Sequence, residues 1–460
     1  MKTSLELESF SLGQGEQNFQ RVEIAETLTS REETSFWQKF KVEKGSIGES
    51  VINLCIISFG IGLLALPQKV NYVTLIMTPI LIIICGVINY WTFTVLGDAS
   101  RKNKVNKYED IVAALFNPCF CYFFNFVMMV GLFGVMILFQ VILYKFIGGV
   151  VNELFSYGYS NMENFANESF WGEKKVRLCV CYGLSLFILF PLCLLKTISK
   201  MRYASTFGVF SVFLIIIIVL IQCPSFYYHN VVKEKQEINV FDFSNGFDYD
   251  LKFIQSISTI IYAYECHAGI FPAISSLKNP TRFRVQKVFK GAATVNVISY
   301  IIITISGYLS QPENTPDLIL EREKISKNDY LMTLGLSLFS ITLTTKVSAT
   351  YNCLRALILN LMKFDPNNYP NGINLILTTI ILSFTTFVAA MFQNISDYIS
   401  INGSFYGLFI SVIMPGIIYI KSNNYPISHI KNILAIFFIL VLCFIGAITI
   451  YFTLKKIFEV

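Results

Sequence analysis

The chain has 460 residues, of which 54% are hydrophobic and only 14% are charged. Soluble domains carry about 25% charged residues, so this composition excludes a soluble globular protein and predicts an all-α polytopic membrane protein. The net charge of +6 does not imply a nucleic-acid partner, because the basic residues fall in short segments between apolar stretches.

The polar N-terminal residues lack the apolar core of a signal peptide, so residues 1–45 are predicted to be a cytosolic, largely disordered tail. Residues 46–455 are predicted to be the transmembrane domain. A bilayer core of about 30 Å needs roughly 20 apolar residues per helix, and the apolar stretches predict eleven membrane-spanning helices. These spans, numbered 1 to 11 in chain order, are 47–70, 72–97, 119–151, 176–195, 203–222, 252–277, 291–310, 330–362, 372–392, 398–420 and 432–454.

Basic and acidic residues alternate between the loops that join these spans. Lysine and arginine are concentrated after spans 2 and 6, for example Arg101, Lys102, Arg282 and Arg284, whereas acidic residues dominate the loops after spans 5 and 7. Positive charge marks the cytosolic side of a membrane protein. The sequence therefore predicts a cytosolic N-terminus and, with eleven spans, a C-terminus on the outer side.

Spans 1 and 6 are each interrupted by helix-breaking residues near their middles. Span 1 contains Phe59-Gly60-Ile61-Gly62, and span 6 contains Cys266-His267-Ala268-Gly269 followed by Pro272. Lipid cannot hydrate the backbone groups that such a break frees, so a break must face protein or a watery cavity. Interrupted spans in corresponding positions of two halves point to a secondary transporter's binding site. Because five spans, an odd number, separate the starting points of spans 1 and 6, spans 1–5 and 6–10 are predicted to form an inverted repeat, with span 11 appended.

The residues around both breaks carry a family resemblance. Span 6 reads Tyr264-Glu265-Cys266-His267 and continues through Pro272 to Leu277-Lys278-Asn279-Pro280, and span 1 has Asn53 followed by Gly60-Ile61-Gly62. This pattern resembles the amino acid/auxin permease family, especially its sodium-coupled neutral amino acid transporter branch. The resemblance covers essentially all of the transmembrane domain and implies the amino acid–polyamine–organocation (APC, LeuT-like) fold.

The two breaks predict a binding site for a small zwitterion. Free amides at the start of a half-helix carry partial positive charge, and free carbonyls at the end of one carry partial negative charge. We expect the amides of the first break to bind a carboxylate and the carbonyls of the second break to bind an ammonium group. The alternative is that the glycines only allow close helix packing, as small residues do in membranes. The substrate-binding candidates are Ser58, Gly60, Ile61, Gly62, Tyr264, Glu265 and Cys266.

Lys346 is the most informative residue about ion coupling. It lies near the middle of span 8, where an unpaired lysine is costly and by default functional. Counting back from Arg355, which matches a family position, the resemblance implies a sodium-ligating threonine close to Lys346. The sodium-coupled branch also has an asparagine three residues after Asn53, where this chain has Ile56. Both departures remove oxygen ligands, so we expect the Lys346 ammonium to replace sodium as a fixed cation between spans 1 and 8.

Other interpretations of ion coupling stay open. A shift of one or two residues in span 8 would return Thr344 or Thr345 to the sodium-ligand position. Glu265 is either a protonated or paired carboxyl inside the membrane or a solvent-facing group in an outer vestibule. His267 either titrates near physiological pH or, as we favour, satisfies a backbone carbonyl that the break frees. The ion-coupling candidates are therefore Asn53, Glu265, His267, Thr345 and Lys346.

These features predict a secondary active or facilitative transporter that moves amino acids, neutral ones in preference, by alternating access and without sodium. The alternatives are a sodium-coupled symporter, an amino-acid-sensing receptor that keeps the transporter fold, and a channel. No nucleophile–base set or nucleotide-binding loop is visible, so an enzyme is not predicted. The expected partners are the amino acid and the lipid bilayer, with a proton or sodium as coupling ion, and the chain is expected to be a monomer. The plasma membrane and an internal acidic, vacuolar-type membrane are both open.

Eleven cysteines and three histidines do not form a pattern that predicts a metal site or another cofactor. Most of the cysteines lie inside apolar spans, where they pack as small hydrophobic residues. The sequence leaves open whether Cys179 or Cys181 pairs with Cys223 across the outer ends of two spans.

Overall fold

The computed structural model describes residues 45–154, 173–195, 202–241, 247–323, 325, 329–366, 368–391, 395–423 and 425–458. Nearly all of the predicted tail, residues 1–44, lies outside the described residues. Apart from one isolated bridge between Asp365 and Asn368, the described elements are helical. The all-helical membrane fold predicted from the sequence is therefore confirmed.

Nine uninterrupted helices among the described residues are long and apolar enough to cross a membrane, and a tenth span consists of two helices bent by 60°. The bent pair is span 1, whose halves are Ile47–Ser58 and Ile61–Val73. The nine helices correspond to spans 2 to 5 and 7 to 11: Met77–Asn103, Pro118–Leu154, Lys174–Leu194, Phe210–Lys233, Arg282–Ser310, Tyr330–Leu361, Asn371–Met391, Ile395–Ser422 and Ile430–Lys456.

Span 6 is the remaining predicted span, and neither of its two helices is long enough to be counted as a membrane-spanning helix by itself. Its first half is the helix Phe247–Ala263, its second half is the six-residue helix Ile270–Ser275, and a 3₁₀ turn, His267–Gly269, precedes the second half. Both predicted breaks are therefore confirmed, whereas the total of eleven spans stays a prediction.

Two features outside the spans differ from the expected boundaries. Span 7 begins at Arg282, nine residues before the predicted start, because the Thr281 side chain caps the helix by accepting a hydrogen bond from Arg284 N. A short helix, Tyr108–Leu115, also lies between spans 2 and 3. It was not expected from the apolar stretches because its eight residues are too few to cross a membrane.

Pairs of spans that correspond in the two halves pack against each other. Spans 1 and 6, 2 and 7, 3 and 8, and 4 and 9 are in contact. An inverted repeat places corresponding helices on either side of a pseudo-two-fold axis in the membrane plane, so helices near that axis meet their own counterparts. Spans 1, 2, 6 and 7 form one group, while spans 3, 4, 8 and 9 form another.

The two broken spans cross in opposite directions and approach through their glycines. A methyl group added to Gly62, just after the first break, would lie 2.5 Å from the Cα of Ala263, at the end of the first half of span 6. A methyl group on Gly269, just after the second break, would lie 2.4 Å from the Ile57 side chain. Each half-helix therefore packs against the opposite half of its counterpart, and only glycine allows this separation.

All eleven cysteines lie within the described residues and are unpaired. The pairing of Cys179 or Cys181 with Cys223 that the sequence left open is therefore not formed in this structure. Cys55, Cys193 and Cys266 are buried in the apolar core, where they pack as small hydrophobic side chains.

Candidate functional site

The first break exposes backbone amides at the centre of the molecule. The first half of span 1 closes with the hydrogen bond from Phe59 N to Cys55 O, 2.8 Å long, and Gly60 is extended at φ −134° and ψ −159°. The amides of Gly60, Ile61 and Gly62 donate to no acceptor among the described residues, and no side chain caps the second half. These amides stand at the positive end of a 13-residue helix.

The second break frees carbonyls on the opposite half of the repeat. Beyond Ala263 the chain tightens, with Tyr264 N donating to Ile261 O and Glu265 N donating to Tyr262 O. The carbonyls of Tyr264 and Glu265 accept no hydrogen bond from the described residues, whereas Cys266 O accepts one from Gly269 N at 2.8 Å. The break therefore presents two carbonyls with free lone pairs.

Tyr300 of span 7 joins the two breaks, although sequence reasoning did not single it out. Its hydroxyl oxygen lies 3.1 Å from Ser58 O, at the end of the first half of span 1. It also lies 2.5 Å from Ala263 O, at the end of the first half of span 6. One hydroxyl proton is thus shared between two carbonyls that the breaks would otherwise leave unsatisfied in an apolar core.

Asn296 lies one turn before Tyr300 on span 7 and holds Ser58. The Ser58 hydroxyl lies 2.9 Å from Asn296 Oδ1 and 3.1 Å from Cys55 O. Ser58 is only 3% exposed, and its hydroxyl group is hydrogen-bonded to other residues of the protein. The sequence signal that could have found this pair is an asparagine and a tyrosine four residues apart, on one face of an apolar helix.

Lys346 reaches from span 8 into the first break. Its Nζ donates to Phe59 O at 2.5 Å, and a methyl group on Gly60 would lie 3.6 Å from the same nitrogen. A lysine ammonium has three N–H donors, and the hydrogen bond to Phe59 O is the one it makes to the described residues. The geometry brings Lys346 to the break as expected, while its part in ion coupling stays a prediction.

Glu265 places a carboxyl group on the other side of the site. It is partly exposed, and it makes no side-chain hydrogen bond or ion pair with the described residues. The Lys346 ammonium is the opposite charge that acts on the Glu265 carboxyl group. Charges interact more strongly in a buried site than in water. The two breaks therefore enclose one potential cation and one potential anion that are not in direct contact.

Three predicted site residues turn away from the gap between the breaks. His267 is 1% exposed, and its Nε2 lies 2.8 Å from Thr92 Oγ1 of span 2. Its partner is therefore a hydroxyl and not the freed carbonyl that we favoured, because the 3₁₀ turn directs the ring onto Phe93. The Tyr264 hydroxyl donates to Ile82 O at 2.9 Å. The Cys266 thiol is 1% exposed in the core.

Asn53 and Thr345 are two predicted ion-coupling residues that make no hydrogen bond to each other. Asn53 is half-buried in the first half of span 1 and makes no side-chain hydrogen bond to the described residues. The Thr345 hydroxyl donates to Thr342 O of its own helix at 2.8 Å. Among the described residues, no group of three or more histidine, cysteine or acidic side chains is arranged to hold a metal ion.

The fold and the site define an integral membrane protein of the carrier type, with two broken helices crossing at its centre. Residues 43–455 match the family described as Transmembrane amino acid transporter protein. The match covers most of the chain, so the chain belongs to this family. The resemblance to amino acid permeases that the residues around the breaks carried is confirmed.

Individual relatives are distant in sequence. The chain is 23% identical over 385 residues to Vacuolar amino acid transporter 5 of Schizosaccharomyces pombe, covering 82% of this chain and 85% of that protein. It is 23% identical over 245 residues to Putative sodium-coupled neutral amino acid transporter 11 of Homo sapiens. That alignment covers 53% of this chain and just over half, 57%, of the human protein.

A solved structure shares the fold. The manganese transporter of Eremococcus coleocola, crystallised with an aromatic bis-isothiourea compound, superposes with a TM-score of 0.52 and 11% identity. The likeness covers 93% of this chain and 90% of that one. At this identity it shows the fold alone, and the predicted LeuT-like (APC) fold class is confirmed.

Proposed function

We propose that this protein carries amino acids across a membrane by alternating access, as a secondary active or facilitative transporter that prefers neutral substrates and does not need sodium. The observation that carries the proposal is the packing of two broken spans against each other, with unpaired amides at one break and unpaired carbonyls at the other. Lipid cannot satisfy such groups, so a ligand or water must do so during part of the cycle.

The two breaks offer complementary partners to a zwitterion. The unpaired amides of Gly60, Ile61 and Gly62 bind the carboxylate at the positive end of the second half of span 1. The free carbonyls of Tyr264 and Glu265 bind the ammonium group. Lys346 and Glu265 bring one positive and one negative charge to the same region, so the site has no net charge when both are ionised. This balance favours a substrate whose side chain is neutral.

Lys346 supports sodium-independent transport. Its ammonium group donates to Phe59 O, a carbonyl that a cation at the first break would otherwise use. Ile56 supplies no oxygen where the resemblance implies an asparagine, and the Thr345 hydroxyl proton is bonded within its own helix. We therefore propose that the Lys346 ammonium takes the place of a bound sodium ion. Proton coupling, through Glu265 or Lys346, is then the route to active transport.

The name of one relative supports a proposal about which membrane holds this protein. The Schizosaccharomyces pombe relative is named as a vacuolar transporter, which favours an internal acidic membrane over the plasma membrane. An acidic lumen supplies the proton gradient that a sodium-independent carrier needs for active transport. Localisation of a tagged full-length chain together with a lumenal pH probe checks this assignment.

The direct test is uptake by the purified full-length protein in liposomes. A panel of amino acids is supplied in sodium or choline at constant pH, with and without a proton gradient. We expect saturable uptake of neutral amino acids that choline leaves unchanged. Collapse of uptake in choline would refute sodium independence and favour the sodium-coupled alternative that the human relative's name suggests.

The same uptake experiment distinguishes a carrier from a channel and from a sensor. Flux that does not saturate would indicate a channel, and specific amino acid binding without flux would indicate a sensor. Removal of residues 1–44 provides a further control, because a carrier whose site lies between the spans keeps its uptake without the tail. Loss of signalling with retained binding would instead point to the receptor.

A further inference from the structure

Two buried polar side chains of span 10 lack hydrogen-bond partners among the described residues. Asn402 is 6% exposed and its Nδ2 has no partner, and the hydroxyl of Tyr406, which is 2% exposed, makes no hydrogen bond. They are four residues apart and so lie on one face of the span. The π-helical turn Gly403–Gly407 lies between them, and such turns are frequent at functional sites. Buried polar groups rarely lack a partner, so this face requires a functional explanation.

The same face of span 10 packs closely against glycines of span 3. A methyl group added to Gly134 would clash with Asn402 Oδ1, and one added to Gly131 would clash with the ring of Tyr406. The missing side chains of the two glycines therefore make room for the two polar side chains. An amino acid cannot pass between surfaces that are this close, whereas a proton can.

Tyr262 connects this face to the second break. Glu265 N donates to Tyr262 O at 3.0 Å, so the two residues are one tight turn apart in span 6. A methyl group on Gly403 would lie 2.9 Å from Tyr262 Cβ, and one on Gly407 would lie 3.2 Å from Tyr262 Cδ2. The Glu265 charge acts on the hydroxyl groups of both Tyr262 and Tyr406. Glu265 therefore lies beside the polar face of span 10.

The short helix between spans 2 and 3, Tyr108–Leu115, lies at the predicted cytosolic end of this face. The Tyr108 hydroxyl donates to Ile410 O at 2.9 Å, and Ile410 lies one turn, or about 5.4 Å, beyond Tyr406 in the direction of the predicted cytosolic side. Glu109 follows Tyr108 in the sequence, is partly exposed, and acts on the Tyr406 hydroxyl. Tyr406 thus lies between the Glu265 carboxyl group on one side and the Glu109 carboxyl group on the other.

Ionisable groups face this line of residues from every element packed against it. The Lys346 ammonium of span 8 acts on Glu265, and it stabilises the carboxylate that remains when a proton leaves. Lys107 and Asp110 act on Glu109 from its own segment. The other groups are thiols and phenols, which are neutral near neutral pH: Cys266, Cys353, Tyr108, Tyr262 and Tyr398.

We propose that Tyr406 and Glu109 form a proton route that connects Glu265 with the predicted cytosolic side and is separate from the path of the substrate. The proposal rests on the carrier function proposed above, in its proton-coupled form. The protonated Glu265 carboxyl group gives its proton to the Tyr406 hydroxyl oxygen, directly or through water, while the Tyr406 hydroxyl proton passes to the Glu109 carboxylate. Tyr406 is neutral before and after the transfer. Asn402 is a positioning residue beside the hydroxyl groups.

Glu109 is suited to the last step of this route. Burial raises the pKa of Glu109 above its ordinary value, which brings the exchange of its proton closer to neutral pH, where a proton-transferring group is most effective. Its carboxyl group is partly exposed, so it releases the proton to water on the predicted cytosolic side.

Exchange and proton-driven accumulation by the purified full-length protein in liposomes test the route. Exchange of a tritiated amino acid of the uptake panel against the same unlabelled amino acid needs no proton release, because the carrier returns loaded and protonated. Accumulation driven by a proton gradient needs proton release in every cycle. We expect Tyr406→Phe and Glu109→Gln to keep exchange near the parent rate and to lose accumulation by about tenfold or more. A pH-sensitive dye inside the liposomes should show a matching loss of proton entry.

Matched controls make the same substitutions away from the route. Tyr419→Phe changes a tyrosine of span 10 that packs against Trp91 of span 2, and Glu173→Gln changes an exposed glutamate just before span 4. Both should leave exchange and accumulation unchanged. Glu109→Asp keeps a carboxyl group and should restore most of the accumulation that Glu109→Gln loses, a rescue that a purely structural role does not predict.

Exchange also reports whether a variant is folded. Accumulation that survives in either exchanging variant overturns the route, because every proton must pass both residues. Equal losses of exchange and accumulation in a variant with the parent's size-exclusion profile also overturn it, since they indicate a part in moving the substrate. If Tyr406→Phe does not fold, Glu109→Gln decides the proposal, because its helix lies outside the spans.

The proposed function fails in a distinguishable way. A parent protein that neither exchanges nor accumulates any amino acid of the panel refutes the carrier and the route with it. A parent protein that exchanges an amino acid but does not respond to a proton gradient keeps the facilitative carrier and refutes the route alone.

Discussion

Lys69 and Lys346 are both lysines of membrane-spanning helices, but their surroundings differ. Lys69 donates to two side chains and has two aspartates acting on its charge. Lys346 donates to one backbone carbonyl, and Glu265, the acid that acts on it, makes no direct contact with it. A charge inside a membrane is expensive and is kept for function. The well-partnered Lys69 joins spans 1 and 10, whereas Lys346 makes one hydrogen bond to the described residues, and we propose that its remaining N–H donors act on substrate or protons.

Replacement of Lys346 is expected to have the largest effect of the substitutions considered below. Lys346→Met removes the charge and leaves Phe59 O without its partner. Hydrogen bonds to charged groups contribute about 1.5–3 kcal/mol, so we expect liposome uptake to fall by about ten- to a hundredfold. The protein should remain folded, because the ammonium makes one hydrogen bond and no ion pair to the described residues.

The control for this prediction is Lys175→Met, which makes the same substitution at an exposed lysine of span 4. Uptake and size-exclusion profile are measured for both variants and the parent. Unchanged uptake in Lys346→Met would show that this lysine has no part in transport and would remove the functional distinction between Lys346 and Lys69. Loss of the folded peak in Lys346→Met alone would show a structural role instead.

The two glycines of the first break provide a second test within one segment. Gly62→Ala places a methyl group 2.5 Å from the Ala263 backbone, whereas Gly60→Ala meets nothing closer than 3.6 Å. Overpacking costs about 1–3 kcal/mol, so Gly62→Ala should lower the melting temperature of the purified protein clearly, and Gly60→Ala should lower it little. Equal losses would contradict the close crossing of spans 1 and 6.

Two buried tyrosine hydroxyls also differ in the number of carbonyl groups to which they donate. Tyr300→Phe leaves two carbonyls, Ser58 O and Ala263 O, without a donor, whereas Tyr264→Phe leaves one, Ile82 O. An unsatisfied buried acceptor costs about 1–3 kcal/mol. We expect Tyr300→Phe to lower both the melting temperature and uptake, and Tyr264→Phe to lower the melting temperature less with little change in uptake. A reversed order would show that Tyr300 does not tie the breaks together.

The breaks and the fold were predictable from sequence because glycine and proline act locally. Gly60, Gly62 and Pro272 interrupt apolar stretches, and the chain alone shows where helical hydrogen bonds must fail. Lys346 was predictable for a similar reason, since a lysine in mid-span stands out against apolar neighbours. These features needed no knowledge of which helices meet.

The partners of these residues were not predictable, because they depend on tertiary contacts. Lys69 and Ser396, which are hydrogen-bonded, are 327 residues apart in the sequence, and Gln68 and Asp317 are 249 residues apart. From sequence alone, polar residues near the ends of spans are interpreted as anchors at the membrane surface. Tyr300 sits in an uninterrupted apolar helix, and its two carbonyl partners become visible only when spans 1 and 6 cross. His267 was assigned to a carbonyl because the sequence cannot show that Thr92 of span 2 lies opposite its ring.

Glu109, in the short helix between spans 2 and 3, extends the comparison to a charge outside the membrane-spanning helices, where the smallest effect on stability is expected. Burial raises the pKa of Glu109 above its ordinary value. Folding therefore favours the protonated form, and the stability that Glu109 contributes is complete below the ordinary pKa and is lost as pH rises through the raised one. Near neutral pH the ionised carboxylate is destabilising.

Glu109→Gln should therefore raise the melting temperature at neutral pH, by a free energy of about 0.5 kcal/mol. The gain should shrink on acidification and vanish below about pH 3.3, a unit under the ordinary pKa of about 4.3, where glutamate is protonated in both states. Glu173→Gln, which makes the same substitution at an exposed glutamate just before span 4, is the control for a general effect of charge. A gain that persists at low pH would mean that packing, and not the buried charge, limits stability at this helix, because protonation would already have removed any electrostatic penalty.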